Sequence, residues 1–225
     1  MLNTFFISKN QNLAGNRFLF MIIFILFYLV FGSFVDSYIG IRILMDILLT
    51  FILLSGAYAI SNKYYISIIA ALLALPMLVS IWFAYFIDIP LLSFIGCCFG
   101  IFFFTYIIFH ILSFIFRAHH VTLNVIYGAV LVYLLIGFMW VFFYALLNKI
   151  EPESFYIGKS SMRDQRFILV YYSFVTLTTL GYGDITPLSS PASSFSILEA
   201  IVGQIYMTVL IARLVGIHIS QSMKK

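Results

Sequence analysis

The sequence predicts an all-α membrane protein. It has six membrane-spanning helices, with a short re-entrant helix and a polar loop between the fifth and sixth. Three observations predict this. The 225-residue chain is 64% hydrophobic and only 9% charged, too little charge to cover the surface of a soluble domain. Six apolar runs approach the roughly 20 residues that a span requires. A polar, glycine-punctuated stretch, TLTTLGYGDITP at residues 176–187, stands between the last two of those runs.

The runs are Phe18–Val35, Ile41–Ile60, Tyr64–Phe86, Pro90–Phe116, Val121–Leu147 and Phe195–Ile219. A seventh apolar piece, Arg166–Leu177, is too short to span and leads directly into the polar stretch. The first run is not a cleavable signal peptide, because it is long and no small-residue cleavage site follows it. The chain therefore divides into an N-terminal tail (1–17), a four-helix membrane domain (18–120) and a two-helix domain carrying the re-entrant segment (121–225). Only six residues follow Ile219, and no soluble regulatory domain is expected.

Charge sets the orientation. Lys9, Arg17, Lys63, Arg117, Arg213, Lys224 and Lys225 fall at one set of helix ends. Asp36, Asp46, Asp88, Glu151, Glu153, Asp164, Asp184 and Glu199 fall at or toward the other. The positive-inside rule then predicts a cell-membrane protein with both termini cytoplasmic and Asp184 at the outer face. The net charge of +4 does not indicate nucleic acid, because the basic residues are scattered and flank apolar runs. Cys97 and Cys98 are sequence neighbours in an apolar run, with no metal-ligand spacing. They are read as small packing residues.

The polar stretch carries the chemistry. Non-helical backbone at membrane depth persists only if it is buried in protein or lines water. Residues 176–184 place Thr176, Thr179, Gly181, Tyr182, Gly183 and Asp184 directly after the short helix. To strip water from an ion, a pore must offer oxygens at every step. Backbone carbonyls do this if successive ones point the same way, which a backbone alternating between right- and left-handed conformations achieves. Gly181 and Gly183 tolerate the left-handed positions cheaply. Thr179 adds a hydroxyl at the inner end, while Leu180 and Tyr182 point away and pack behind the loop. The short helix aims its negative end at the cavity, favouring a cation there.

Thr179-Leu180-Gly181-Tyr182-Gly183 differs only by Leu180 for Val from the TVGYG loop of potassium-channel filters. Residues 121–225 resemble the pore domain of the tetrameric potassium-channel family. The stretches VYYSFVTLTTLGYGDITP and LEAIVGQIYMTVLIARLVG are similar to those of its small bacterial six-helix members. The resemblance implies a homotetramer around one axis, with K+ coordinated at Thr179, Leu180, Gly181 and Tyr182. It implies neither a cofactor nor enzymatic activity.

In six-helix members the first four helices can form a voltage sensor, which needs several arginines on the fourth. Here the fourth run has none, and Arg117 follows it at the inner edge. Steep voltage dependence is therefore not expected. Arg42 and Asp46, one helical turn apart, are read as a structural pair. His110 is read as a hydrogen-bonded core histidine, and His119 and His120 as residues of the linker between the fourth and fifth helices. The phenylalanine-rich stretches are lipid-facing or packing surface.

Around the loop, the resemblance gives Tyr171 the role of hydrogen-bond donor to Asp184. Gly203 lies where relatives have a hinge glycine, although close packing against the short helix explains it equally. Steps of four from Gly203 give Met207, Ile211, Val215 and Ile219, read as a cavity stripe ending at an inner constriction. Arg213 lies off that stripe and is expected to snorkel. Glu199 interrupts an apolar run, where a bare carboxylate costs about 2.5 kcal/mol or more at mid-membrane. It is read as bracing the filter through Ser173 and Thr176 in a protonated form, or as a carboxylate reaching the wet crevice behind the filter.

The leading function is a passive potassium-selective channel. The alternatives are a less selective cation channel, a potassium-transporter subunit and a non-conducting regulatory subunit. Tyr182 between two glycines argues against the first, and a single nearly complete filter loop against the other two. No nucleophile–base pair or phosphate loop supports an enzyme.

Overall fold

The computed structural model describes residues 2–32, 39–59, 64–87, 89–118, 120–157 and 165–222. Seven helices and two short strands follow one another: α1 (Leu2–Gly32), α2 (Ile39–Ala59), α3 (Tyr64–Phe83), α4 (Pro90–Arg117), α5 (Leu123–Ile150), β1 (Phe155–Ile157), α6 (Gln165–Leu177), β2 (Ile185–Pro187) and α7 (Ser190–Ser222). Lys63, Asp36, Asp88, Asp164, Lys224, Lys225 and His119 lie outside the described residues, as does the side chain of Lys9.

Helix lengths follow from the apolar runs. Among the described residues, five helices are long and apolar enough to cross a membrane: Arg42–Ala59, Tyr64–Phe83, Pro90–Arg117, Leu123–Ile150 and Ser190–Ile217. The first expected span is represented by the shorter apolar helix Arg17–Gly32. Its remaining residues, 33–35, are among those not described. The stretch read as a tail departs from expectation, because α1 is helical from Leu2 onward. The last helix starts at Ser190, five residues before the apolar run at Phe195. There Ser189 Oγ accepts from the Ala192 N–H at 3.2 Å, meeting one donor of the first turn. At the start of α4, Pro90 takes the first helical position, where its missing N–H costs nothing. Pro76 lies inside α3.

The four-helix domain is held to the rest through aromatic packing. Helix α4 lies between α3 and α5, and α1 between α2 and α5. Phe104 of α4 stacks with Phe138 and Phe142 of α5, with centroids 5.8 and 5.5 Å apart. Phe138 meets Tyr28 of α1 edge-on at 5.4 Å and Phe174 of α6 at 5.9 Å. Phe103, Phe104 and Phe138 are fully buried. This row therefore joins the four-helix domain to the short helix that leads into the polar loop. Burial of such side chains stabilises the packing by about 1.5–3 kcal/mol each in water-referenced terms.

The all-α expectation needs one correction. Strands β1 and β2 pair antiparallel, in the register Phe155↔Pro187, Tyr156↔Thr186 and Ile157↔Ile185. The pairing joins the segment before α6 to the segment immediately after the polar loop.

Candidate functional site

Helix α6 is short because its apolar face must end where the loop begins. Its last turn is extended by local bonds: the Thr179 N–H donates to Thr176 O at 2.9 Å, and the Leu180 N–H to Val175 O at 3.0 Å. Beyond it the backbone changes hand repeatedly. Thr179, Gly181 and Gly183 have φ of +60, +54 and +79°, while Leu180 and Tyr182 between them do not have positive φ. Glycine adopts such angles freely. A β-branched threonine does not, so Thr179 holds local strain of about 1–3 kcal/mol. The left-handed glycines are those the sequence predicts; the left-handed Thr179 has no signal in the residue type. The result is a polar loop whose backbone alternates in hand from Thr179 to Gly183.

Leu180 and Tyr182 do not pack behind the loop within this chain. They are 59% and 67% exposed. No atom of the chain outside their immediate neighbours lies within 4 Å of where a side chain on Gly181 or Gly183 would start. The loop is therefore secured at its ends. At the outer end, the Tyr171 hydroxyl of α6 donates to Asp184 Oδ2 at 2.8 Å. The Ile185 N–H donates to Asp184 Oδ1 at 3.1 Å.

Behind α6 lies a buried polar group. Glu199 of α7 is fully buried. The Tyr144 hydroxyl of α5 donates to Glu199 Oε2 at 2.5 Å. Ser173 Oγ of α6 lies 2.6 Å from Glu199 Oε1 and 2.8 Å from Gly137 O. Beside them the Tyr172 hydroxyl and Ser196 Oγ are 2.6 Å apart. Glu199 thus faces neither lipid nor an open crevice, and it ties α5, α6 and α7 together. Its expected partner Thr176 interacts instead with Tyr172, one helical turn away on the same helix. Tyr144 takes the second place at Glu199. It lies 55 positions upstream in an apolar run, so nothing local in the sequence announces it.

Gly203 lies against the C-terminal end of α6. A Cβ there would come 2.4 Å from the Leu177 carbonyl oxygen, closer than real Cβ contacts allow. Only glycine lets α7 approach this near, and the close-packing explanation of Gly203 is the one the geometry carries. Gly203 is buried against α6, whereas Met207, Ile211, Val215 and Ile219 are exposed in the single chain. Steps of four drift about 40° each on a 3.6-residue helix. The next residue, Gln204, places Nε2 3.4 Å from Thr179 Oγ1. It was not singled out from sequence, although a lone amide beside a close-packed glycine was a usable signal.

Arg213 corrects another expectation. It does not snorkel toward lipid headgroups. Its Nη2 donates to the carbonyls of Ile115, Phe116 and Ala118, and its guanidinium lies 4.9 Å from the Phe116 ring centroid. The Ala118 N–H caps Ile115 O at 3.2 Å, and the last carbonyls of a helix otherwise need partners from outside it, where a cation also meets the negative end of the helix dipole. Helix α7 is thereby joined to the end of α4.

The Tyr85 hydroxyl donates to buried Asp46 at 2.5 Å, and the Arg42 guanidinium lies 5.3 Å from the Tyr85 ring centroid. His110 is half-buried and meets Tyr106 edge-on at 4.5 Å. Cys97 and Cys98 are not joined in a disulfide. Among the described residues no cluster of His, Cys, Asp and Glu could hold a metal ion.

Residues 121–218 match a family model described as Ion channel. The match covers α5, α6, the polar loop and most of α7. No curated protein and no solved structure matches the chain.

Proposed function

We propose that the chain is a passive, potassium-selective channel of a cell membrane, a reading supported by the match of residues 121–218 to an ion-channel family model. The observation that carries this reading is the alternating backbone of the loop, with positive φ at Thr179, Gly181 and Gly183. Such a backbone offers successive carbonyls as a replacement for the hydration shell of K+. In this reading the carbonyls of Thr179, Leu180, Gly181 and Tyr182, with the Thr179 hydroxyl, coordinate the ion. Gly183 and Asp184 form the outer exit. Tyr171 and Glu199 hold the loop from its outer end and from behind. The C-terminal end of α6 favours a cation in the cavity below. Ions move down their own gradient, so no reaction, resident cofactor or coupled step is needed.

One loop cannot surround an ion, so the reading requires four copies around an axis. Exposure supports this. One side of helix α7 is exposed in the single chain although it is apolar, with Ile197, Leu198, Ile201, Ile205, Ile211 and Val215 uncovered, and so are Leu180 and Tyr182. In a homotetramer these surfaces face neighbouring copies or the pore. Six spans, with α1 as the first, put both termini on the cytoplasmic side. The four-helix domain has no arginine on α4 before Arg117, so it contributes packing, not a charge ladder.

The test is ion flux into liposomes containing the purified protein, under separate K+ and Na+ gradients. Potassium flux well above sodium flux is expected. Equal fluxes would leave a nonselective cation channel, and no flux in an assembled oligomer would remove the conducting role.

A further inference from the structure

Resting on the potassium-channel reading, we propose that Ser154 and strand β1 are the positioning element for the outer end of the filter. They hold the exit segment Ile185–Ser189, and with it the Tyr182–Asp184 backbone, in conducting register. The argument begins with what does not hold the filter. Within the chain nothing lies against Gly181 or Gly183, so what the chain itself contributes to the loop's path comes from the loop's two ends. The inner end continues the last turn of α6. At the outer end, the Asp184 side chain and the backbone that follows it make the attachments.

That backbone is bonded to β1. The Leu188 and Ser189 N–H groups both donate to Ser154 O, at 2.8 and 3.4 Å. In an antiparallel pair, hydrogen-bonded and non-bonded positions alternate. A bond between Ser154 and Leu188 makes Tyr156↔Thr186 the next bonded pair. It also puts Pro187 opposite Phe155, at a position where its missing N–H is not needed.

Strand β1 is itself fixed to the helices. Ser154 is 1% exposed, and its Oγ donates to Glu151 O at 2.6 Å. Phe155 is buried and meets Tyr144 of α5 edge-on at 5.4 Å and Tyr172 of α6 at 5.1 Å. Tyr144 is the same residue that binds Glu199. The exit segment therefore cannot move outward from the filter without breaking the ribbon, and the ribbon cannot shift without disturbing the tyrosines behind α6. An intact ribbon biases the outer filter toward its conducting form. Potassium bound in the filter biases it the same way by mass action, so the two are interchangeable in part.

The test uses the full-length protein in planar bilayers, with K+ current followed over time at low and high external K+. Tyr156→Pro removes the N–H facing Thr186 while changing an exposed side chain; Tyr156→Ala keeps the backbone. At low external K+, Tyr156→Pro should raise the rate of current decline about fivefold, the effect of one backbone hydrogen bond. High external K+ should restore the wild-type course, and Tyr156→Ala should match wild type throughout. A Tyr156→Pro channel with the wild-type course at low K+, or a faster decline that K+ does not relieve, would overturn the proposal. If that variant fails to assemble, the pair Tyr156→Cys and Thr186→Cys takes its place. Residues at a bonded pair lie about 5.5 Å apart at Cα, within disulfide reach. The oxidised pair should slow the decline relative to the reduced pair, and identical courses would overturn the proposal. Wild-type protein that fails to favour K+ over Na+ in the same bilayers removes the channel reading itself. Selective wild type with unaffected variants removes this inference alone.

Discussion

Replacing Glu199 tests the buried brace behind the filter. Ser173 Oγ lies within hydrogen-bond distance of both Gly137 O and Glu199 Oε1. A hydroxyl has one hydrogen, and a backbone carbonyl only accepts. The Ser173 hydrogen goes either to Glu199 Oε1, Gly137 O being met within its own helix, or to Gly137 O, in which case a protonated Glu199 donates to Ser173. Tyr144 donates to the other carboxyl oxygen. The second arrangement needs a carboxylic acid and the first is met by a carboxylate, and the exchange for glutamine separates them, because an amide N–H can replace only the acid's donor. Glutamine reproduces the acid's pattern, with its amide N–H toward Ser173 and its carbonyl toward Tyr144. Glu199→Gln should then cost under ~1 kcal/mol, in line with a near-isosteric exchange of hydrogen-bonding groups. Glu199→Ala is different. It leaves the fully buried Tyr144 hydroxyl without its acceptor, at about 1–3 kcal/mol, and opens a cavity among α5, α6 and α7. We expect about 3–5 kcal/mol per chain in total. Thermal unfolding of the purified assembly, read together with K+ flux, separates the variants. Glutamine should keep both the melting temperature and the flux, and alanine should lower both. A glutamine variant as damaged as the alanine variant would refute the acid arrangement and make Glu199 a working anion.

Gly181→Ala and Gly183→Ala place a Cβ on left-handed backbone, at about 1–2 kcal/mol each. Both should abolish selective K+ flux while the oligomer still forms on size-exclusion chromatography; full flux in either assembled variant would contradict the carbonyl-column reading. Gly203→Ala would put a Cβ 2.4 Å from the Leu177 carbonyl oxygen, so α7 must withdraw from α6; we expect a marked fall in melting temperature and in flux, measured on the same sample. Conductance should vary only shallowly with voltage, because α4 carries no arginine before Arg117; a curve as steep as several charges per channel would be inconsistent with this. Arg213→Ala removes the donor to three carbonyls at the end of α4 and should lower thermal stability, whereas an unchanged melting temperature would reduce that contact to an incidental one.

Much of this architecture was readable because the membrane leaves few choices. Backbone polar groups in lipid must be paired within the chain, so an apolar run of sufficient length has little alternative to a helix. That is why α2 to α5 begin and end within a few residues of their apolar runs. The run Arg166–Leu177 was read as a short helix for the same reason, and it coincides with α6 to within one residue. Readability failed where a contact joins distant positions. Tyr144 and Glu199 are 55 residues apart, and Arg213 and Phe116 are 97 apart. Neither separation leaves a periodic trace. The ribbon escaped notice for a related reason. Three-residue strands carry too little alternation to register, and Pro187 argues against a strand unless its non-bonded place in the register is known. Glu199 shows where the two kinds of information meet. Its cost in an apolar helix required a partner, and the sequence offered nearby hydroxyls as candidates. Only the packing of α5 against α6 and α7 determined that one of the two is a tyrosine from another helix. The polar loop is legible because its chemistry is local, while the parts that hold it in place are distributed over the fold.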